Sequence, residues 1–140
     1  MARSSDLKRA DPKKAAALTR YAAAEDLSQA IADWQEWLKA ERRASPHTLA
    51  AYGCDLAAFL DFLLGHRAGV PSLATLAELT PADFRAYLAA RASERLQRSS
   101  TARALSTLRG FFRFLDRRGL ASNAALAAVR TPKLPHSVPK

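Results

Sequence analysis

Arginines recur at positions 103, 109, 113 and 117, with a serine at 106, in the stretch between Ser99 and Gly119. A guanidinium carries a fixed charge and a planar fork of donors, which fits a phosphate or the edge of a guanine. On a helix of about 3.6 residues per turn, Arg103, Ser106, Arg109, Gly110, Arg113 and Arg117 fall on one side. Ala104, Leu105, Leu108, Phe111, Phe112 and Leu115 fall on the other. Arg109, Arg113 and Arg117 repeat at i+4 with no acid on their stripe, and Asp116 is the sole acid of the segment. A solvated helix face usually mixes Glu with Arg at that spacing, because like charges there destabilise the helix. The pattern therefore points to an external polyanion, and a helix of this kind suits the major groove of DNA. Ser99, Ser100 and Thr101, at the amino end of the same helix, are candidates to hold backbone phosphates.

The charge distribution agrees with that reading. The net charge is +9, and the excess sits in the last third of the chain. Residues 1–43 hold nine Lys/Arg and seven Asp/Glu, residues 44–98 hold five of each, and residues 99–140 hold eight basic residues against Asp116. A localised basic surface suggests DNA or RNA, and a basic tail that only aids solubility is the plainer alternative.

The elements that must position these residues are helical. Hydrophobic residues are 49% of the 140, many of them alanine, and glycine occurs only five times. An all-α fold follows from that balance. Residues 1–25 read as a poorly ordered basic arm, with a helical turn around Lys13 to Tyr21. Leu27, Ile31, Trp34 and Leu38 predict a helix from Ser28 to Arg42, by their i, i+3/i+4 spacing. Ser45-Pro46 is an N-cap followed by a first-turn proline. It opens a helix whose stripe is Leu49, Tyr52, Leu56, Phe59, Leu60 and Leu63.

Across that stripe, Ala50, Ala51, Cys54, Ala57 and Ala58 leave room for another helix or a nucleic-acid backbone. His47, Thr48, Ala51 and Asp55 lie beside or opposite the stripe and make this a second candidate DNA face. Leu73 to Leu79 is ambiguous, and Thr80-Pro81 opens a further helix with Asp83 in its first turn. The basic helix is predicted from Ser99 to Arg118, ending at Gly119, and a short helix from Asn123 to Val129. Residues 26–130 thus form the domain. Residues 131–140, with three prolines, read as the start of an interdomain linker.

Other chemistry is not supported. The sequence has no phosphate-binding glycine loop and no HExxH, and His47, His66 and His136 lack ligand spacing. The one cysteine, Cys54, excludes a disulfide framework and reads as a packing residue. No apolar run approaches the roughly 18 residues of a membrane span. The protein is expected to be cytoplasmic, with no metal, cofactor, membrane or small-molecule partner.

Three blocks carry a resemblance. Ser45-Pro-His-Thr-Leu-Ala-Ala-Tyr-Gly-Cys-Asp-Leu-Ala-Ala-Phe-Leu60 resembles the S-x-x-T-x-x-x-Y-x-x-D-L-x-x-F stretch of Xer-type tyrosine recombinases. Residues 99–115 resemble their R-x-L-S-x-L-R-x-F-[YF]-x-[FY]-L helix, and residues 132–140 their linker to the catalytic domain. The resemblance implies a SAM-like bundle of four to five helices with a flexible N-terminal arm and a C-terminal linker. It implies one half of a C-shaped clamp around a double-stranded recombination half-site of dif type. A partner recombinase subunit and a role in chromosome dimer resolution are implied for the full-length protein.

Carried over by position, His47 and Thr48 would face DNA from one helix. Ser100, Arg103, Ser106, Arg109 and Arg113 would do so from the other. With Ser99 and Arg117 from the helix pattern, these are the expected DNA-binding residues. The family's catalytic positions lie after the linker, so Tyr21, Tyr52 and Tyr87 match no nucleophile and this chain is expected to bind DNA without cutting it. Its end at Lys140 reads as a shortening of a longer protein. The sequence leaves two alternatives. One is a free-standing helix-turn-helix regulator, which would dimerise on spaced half-sites. The other is a helical module whose basic face meets an acidic protein.

Overall fold

The computed structural model describes residues 21–94 and 98–130. The basic arm before Tyr21, with its expected turn, and the proline-rich segment after Arg130 lie outside the described residues. Among the described residues every regular element is helical, in the order α1 (Glu25–Ala40), α2 (Pro46–His66), α3 (Leu73–Glu78), α4 (Pro81–Ser93), α5 (Arg98–Arg117) and a 3-10 turn (Ala125–Ala128). They fall into two compact units, divided in the sequence between Leu73 and Ala74.

In the first unit α1 packs on α2. Helix α1 begins three residues earlier than Ser28. Its first turn holds Glu25 and Asp26, whose charges favour the positive end of the helix dipole. Leu27, Ala30, Ile31, Trp34 and Leu38 form its buried stripe. Helix α2 opens as its sequence demands: Ser45 Oγ accepts from the Thr48 amide at 3.1 Å, with Pro46 at the first position. Leu49, Leu56, Phe59, Leu60 and Leu63 are buried, and each such side chain contributes about 1.5–3 kcal/mol. Tyr52 is half-buried.

Asp55 corrects the expected outer face of α2, because it is buried. It follows Tyr52 by three residues and precedes Phe59 by four, so the helical period turns it inward, where it has interaction partners. A second correction concerns length. Helix α2, with 21 residues, is long and apolar enough to cross a membrane by length and composition. A packed core helix meets the same test, and the leucine and phenylalanine stripe of α2 is buried.

The two ends of the first unit are tied together. The amide of Ala24, before α1, donates to the carbonyl of Pro71, after α2, at 2.8 Å. Gln35 Nε2 donates to Tyr21 Oη at 2.8 Å. Burial, and then the nearby Cys54, push the Tyr21 hydroxyl up to about 12, against a smaller lowering by the Gln35 hydrogen bond. Cys54 itself is exposed.

The second unit holds α4, α5 and the 3-10 turn, with all but the first residue of α3. Thr80 and Asp83 form a capping box at the start of α4. The Thr80 amide donates to Asp83 Oδ2 at 2.8 Å, and the Asp83 amide to Thr80 Oγ1 at 3.3 Å. The ambiguous Leu73–Leu79 segment is a six-residue helix with Leu76 buried. The short helix expected over Asn123–Val129 is a four-residue 3-10 turn, seated by Asn123. That side chain donates to the carbonyls of Leu76 at 2.7 Å and Leu79 at 2.9 Å, and accepts from the Ala125 amide at 2.7 Å.

Helix α5 closes in a Schellman motif at Gly119, whose φ is +69°. The Gly119 amide donates to Asp116 O at 3.0 Å and the Leu120 amide to Leu115 O at 2.9 Å. Phe84 of α4 meets Phe112 of α5 edge to face, with ring centroids 5.7 Å apart.

Candidate nucleic-acid interface

Helix α5 divides along its length. Thr101, Ala104, Leu105, Thr107, Leu108, Phe111, Phe112, Phe114 and Leu115 are buried. Arg103, Ser106, Arg113, Asp116 and Arg117 are exposed. The buried arc is wider than the six positions expected, because it also takes in Thr101, Thr107 and Phe114. The Thr107 hydroxyl is accommodated by donating to Arg103 O, one turn back, at 3.1 Å.

The exposed arc keeps its excess of positive charge. Among the described residues neither Arg113 nor Arg117 forms an ion pair. Asp116 shares a groove of about 360 Å³ with Arg109, Arg113, Ser122 and Asn123, floored by Phe112 and Leu126. Arg118, next to Arg117, lays its guanidinium 4.6 Å from the centre of the Phe114 ring, a cation–π contact.

Arg109 occupies an intermediate place. It is half-buried, and one guanidinium nitrogen donates to the carbonyl of Val129 at 2.5 Å. Ser100, half-buried in the first turn of α5, has its Oγ accepting from Arg91 NH2 at 3.2 Å. Thr101 corrects the expectation of a phosphate contact. It is buried, and its Oγ1 accepts from Arg91 Nε at 3.0 Å. Its position one residue past Ser100 turns it from the surface toward α4. Ser99 lies in the same first turn, its side chain outside the described residues.

His47 and Thr48 lie on the first turn of α2, in the first unit. His47 is exposed, and Thr48 is half-buried with its hydroxyl 3.1 Å from Ser45 Oγ. The structure thus gathers Arg103, Ser106, Arg113 and Arg117 on one exposed arc of α5, with Arg109 at its edge. Among the described residues no group of three His, Cys, Asp or Glu is arranged to hold a metal ion.

Two residues at this face escape sequence reasoning. Arg91 reads as one more residue of α4, yet it is buried and binds α5. Asn123 reads as a helix start and instead anchors the turn that walls the groove. The only signal for Arg91 is its i+4 spacing from Tyr87, whose hydroxyl accepts from Arg91 NH1 at 3.3 Å.

Residues 31–119 match the family described as phage integrase, N-terminal SAM-like domain, an all-helical class in keeping with the fold. Among curated proteins, tyrosine recombinase XerC of Mesorhizobium japonicum is 44% identical over 115 residues, covering 82% of this chain and 37% of its own length. XerC of Nitrobacter winogradskyi is 45% identical over 118 residues, covering 84% of this chain and 37% of its own. XerC of Rhodospirillum centenum is 42% identical over 120 residues, covering 86% and 35%. The chain therefore spans a little over a third of the length of these relatives. No solved structure matches.

Proposed function

The chain belongs to the phage integrase N-terminal SAM-like domain family, and from that premise we propose that it is the DNA-holding part of a XerC-like tyrosine recombinase. The observation that carries the reading is the exposed arc of α5. Arg103, Ser106, Arg113 and Arg117 stand there opposite a buried, largely apolar face, without acid partners for Arg113 and Arg117 among the described residues. A helix so divided is held by its own unit on one side and offers guanidinium forks to a duplex groove on the other.

In this proposal Arg103, Ser106, Arg109, Arg113 and Arg117 approach the duplex from α5. Ser99 and Ser100 meet backbone phosphates at its amino end, and His47 and Thr48 make a second contact from α2. The duplex is a recombination half-site of dif type. Strand cleavage and rejoining, a partner recombinase subunit and chromosome dimer resolution in the cytoplasm belong to the full-length protein.

Binding of the 140-residue chain to a labelled dif-type duplex, followed by fluorescence anisotropy across a salt series, tests this. We expect affinity to fall log-linearly with salt, and Arg113→Ala to weaken it. No association with any duplex at low salt would refute the proposal. A covalent protein–DNA adduct from this chain alone would refute the assignment of chemistry to the rest of the protein.

A further inference from the structure

We propose that Arg91, a residue of α4 hidden beneath the amino end of α5, is a positioning residue for duplex binding that acts through Ser100; the inference rests on the DNA reading above. Arg91 is 7% exposed. Its Nε donates to Thr101 Oγ1 at 3.0 Å, its NH1 to Tyr87 Oη at 3.3 Å and its NH2 to Ser100 Oγ at 3.2 Å, and the guanidinium carbon lies 5.8 Å from the centre of the Tyr87 ring. Every one of these acceptors is neutral. Among the described residues no carboxylate pairs with Arg91.

Burying a guanidinium without a counter-charge is costly, and hydroxyl acceptors satisfy its geometry without cancelling its charge. A purely structural clasp between α4 and α5 is served more cheaply by a neutral side chain. A retained positive charge is useful where an anion arrives from outside.

The hydrogen-bond directions show how that charge is relayed. Ser100 Oγ accepts from Arg91, so the hydroxyl proton is not spent on the guanidinium and is available to a second acceptor. Ser100 is half-buried, with part of its surface open. The guanidinium polarises the hydroxyl it donates to, which makes that O–H a stronger donor. Arg91 thereby fixes the rotamer of Ser100, and its charge strengthens the bond the serine makes. The acceptor this suits is a phosphate oxygen of the duplex backbone, since such contacts set register without reading sequence. Arg91 itself does not touch the duplex.

The test is a double-mutant cycle on the full chain with Ser100→Ala, Arg91→Lys and the two combined. Affinity is read by anisotropy of a fluorescein-labelled, mixed-sequence double-stranded oligonucleotide, under conditions where circular dichroism shows each variant folded. Lysine keeps the charge and loses the fork. We expect Ser100→Ala to weaken binding about threefold to tenfold, Arg91→Lys to weaken it to a similar extent, and the double variant to bind no worse than Ser100→Ala alone. A merely structural Arg91 would not produce that non-additivity.

Unchanged affinity in either single variant overturns the proposal, as does an equal loss from Arg91→Lys in both serine backgrounds. Should Arg91→Lys unfold, Arg91→Gln takes its place in the same cycle. Arg113→Ala is the control. If it binds as the parent does, or if the parent ignores the oligonucleotide, the DNA reading itself has failed; if it weakens binding while Ser100→Ala does not, only the role of Arg91 has.

Discussion

Arg109 of α5 donates to the backbone carbonyl of Val129, so one arginine of the basic helix also holds the segment that follows the 3-10 turn. Arg113, one turn further on, is exposed and forms no ion pair among the described residues. Replacing each by alanine should therefore separate stability from binding. Arg109→Ala should lower unfolding free energy by about 1.5–3 kcal/mol, the range for a hydrogen bond from a charged donor, and also weaken duplex binding. Arg113→Ala should leave the urea midpoint unchanged and weaken binding alone. Urea unfolding followed by helical circular dichroism, beside anisotropy titrations, distinguishes the two patterns.

With a single side chain Asn123 satisfies two carbonyls at the end of α3 and accepts from the Ala125 amide at the start of the 3-10 turn. Asn123→Ala should destabilise the protein by about 1–3 kcal/mol, because carbonyls in a partly buried place lose their donor. Asn123→Asp should be no better, since a carboxylate offers acceptors where donors are needed. Chemical denaturation of both variants checks this, and parental stability in either would show that water replaces the amide.

Backbone sign offers a stability test away from the basic face. Ala68 has φ of +56°, a region that favours glycine, and Gly119 has φ of +69° at the Schellman turn. Ala68→Gly should raise stability by up to about 1 kcal/mol, and Gly119→Ala should lower it by about 1–2 kcal/mol, the cost of a Cβ in the left-handed region. No atom lies within 4 Å of a Cβ built at Gly119, so the loss would come from conformation and not from a clash. Thermal melts of the two variants should move in opposite directions.

Tyr21 predicts an alkaline weakness. Its hydroxyl rises from the ordinary 10.0 to about 12 in the fold, chiefly through burial, then through Cys54. A raised acid binds its proton more tightly folded than unfolded. Its contribution is thus fully present below about pH 10 and is lost as pH climbs through about 12. Stability should fall across that window, and Tyr21→Phe should flatten part of the fall. Urea midpoints at several alkaline pH values would show it, with tyrosinate absorbance reporting the delayed ionisation directly.

How much of this was legible in the sequence depended on the range of each interaction. Ser45-Pro46 and Thr80-Pro81 announced α2 and α4, because a cap and its amide lie three residues apart. The division of α5 followed from its period, and all six positions expected on the buried side are buried. Leu73–Glu78 stayed ambiguous because six residues are too few for a period to repeat convincingly. Asp55, expected beside or opposite the apolar stripe of α2, is turned in by its spacing from Tyr52 and Phe59. Arg91 and Asn123 were illegible for another reason. Their meaning lies in partners 9 to 10 residues away on α5 and 44 to 47 residues back at the end of α3, and no local pattern reports a pairing between elements.

Cys54 is the chain's one thiol, and it stands exposed on α2, where it acts electrostatically on the Tyr21 hydroxyl. A maleimide dye would therefore attach at a single defined point with no engineering of other cysteines. That point belongs to the first unit, whereas the arginine arc belongs to the second. Emission from such a dye would report loosening of the Tyr21 segment without tagging the helix that carries the guanidinium forks, so folding and ligand uptake become separately observable in one unmodified sequence.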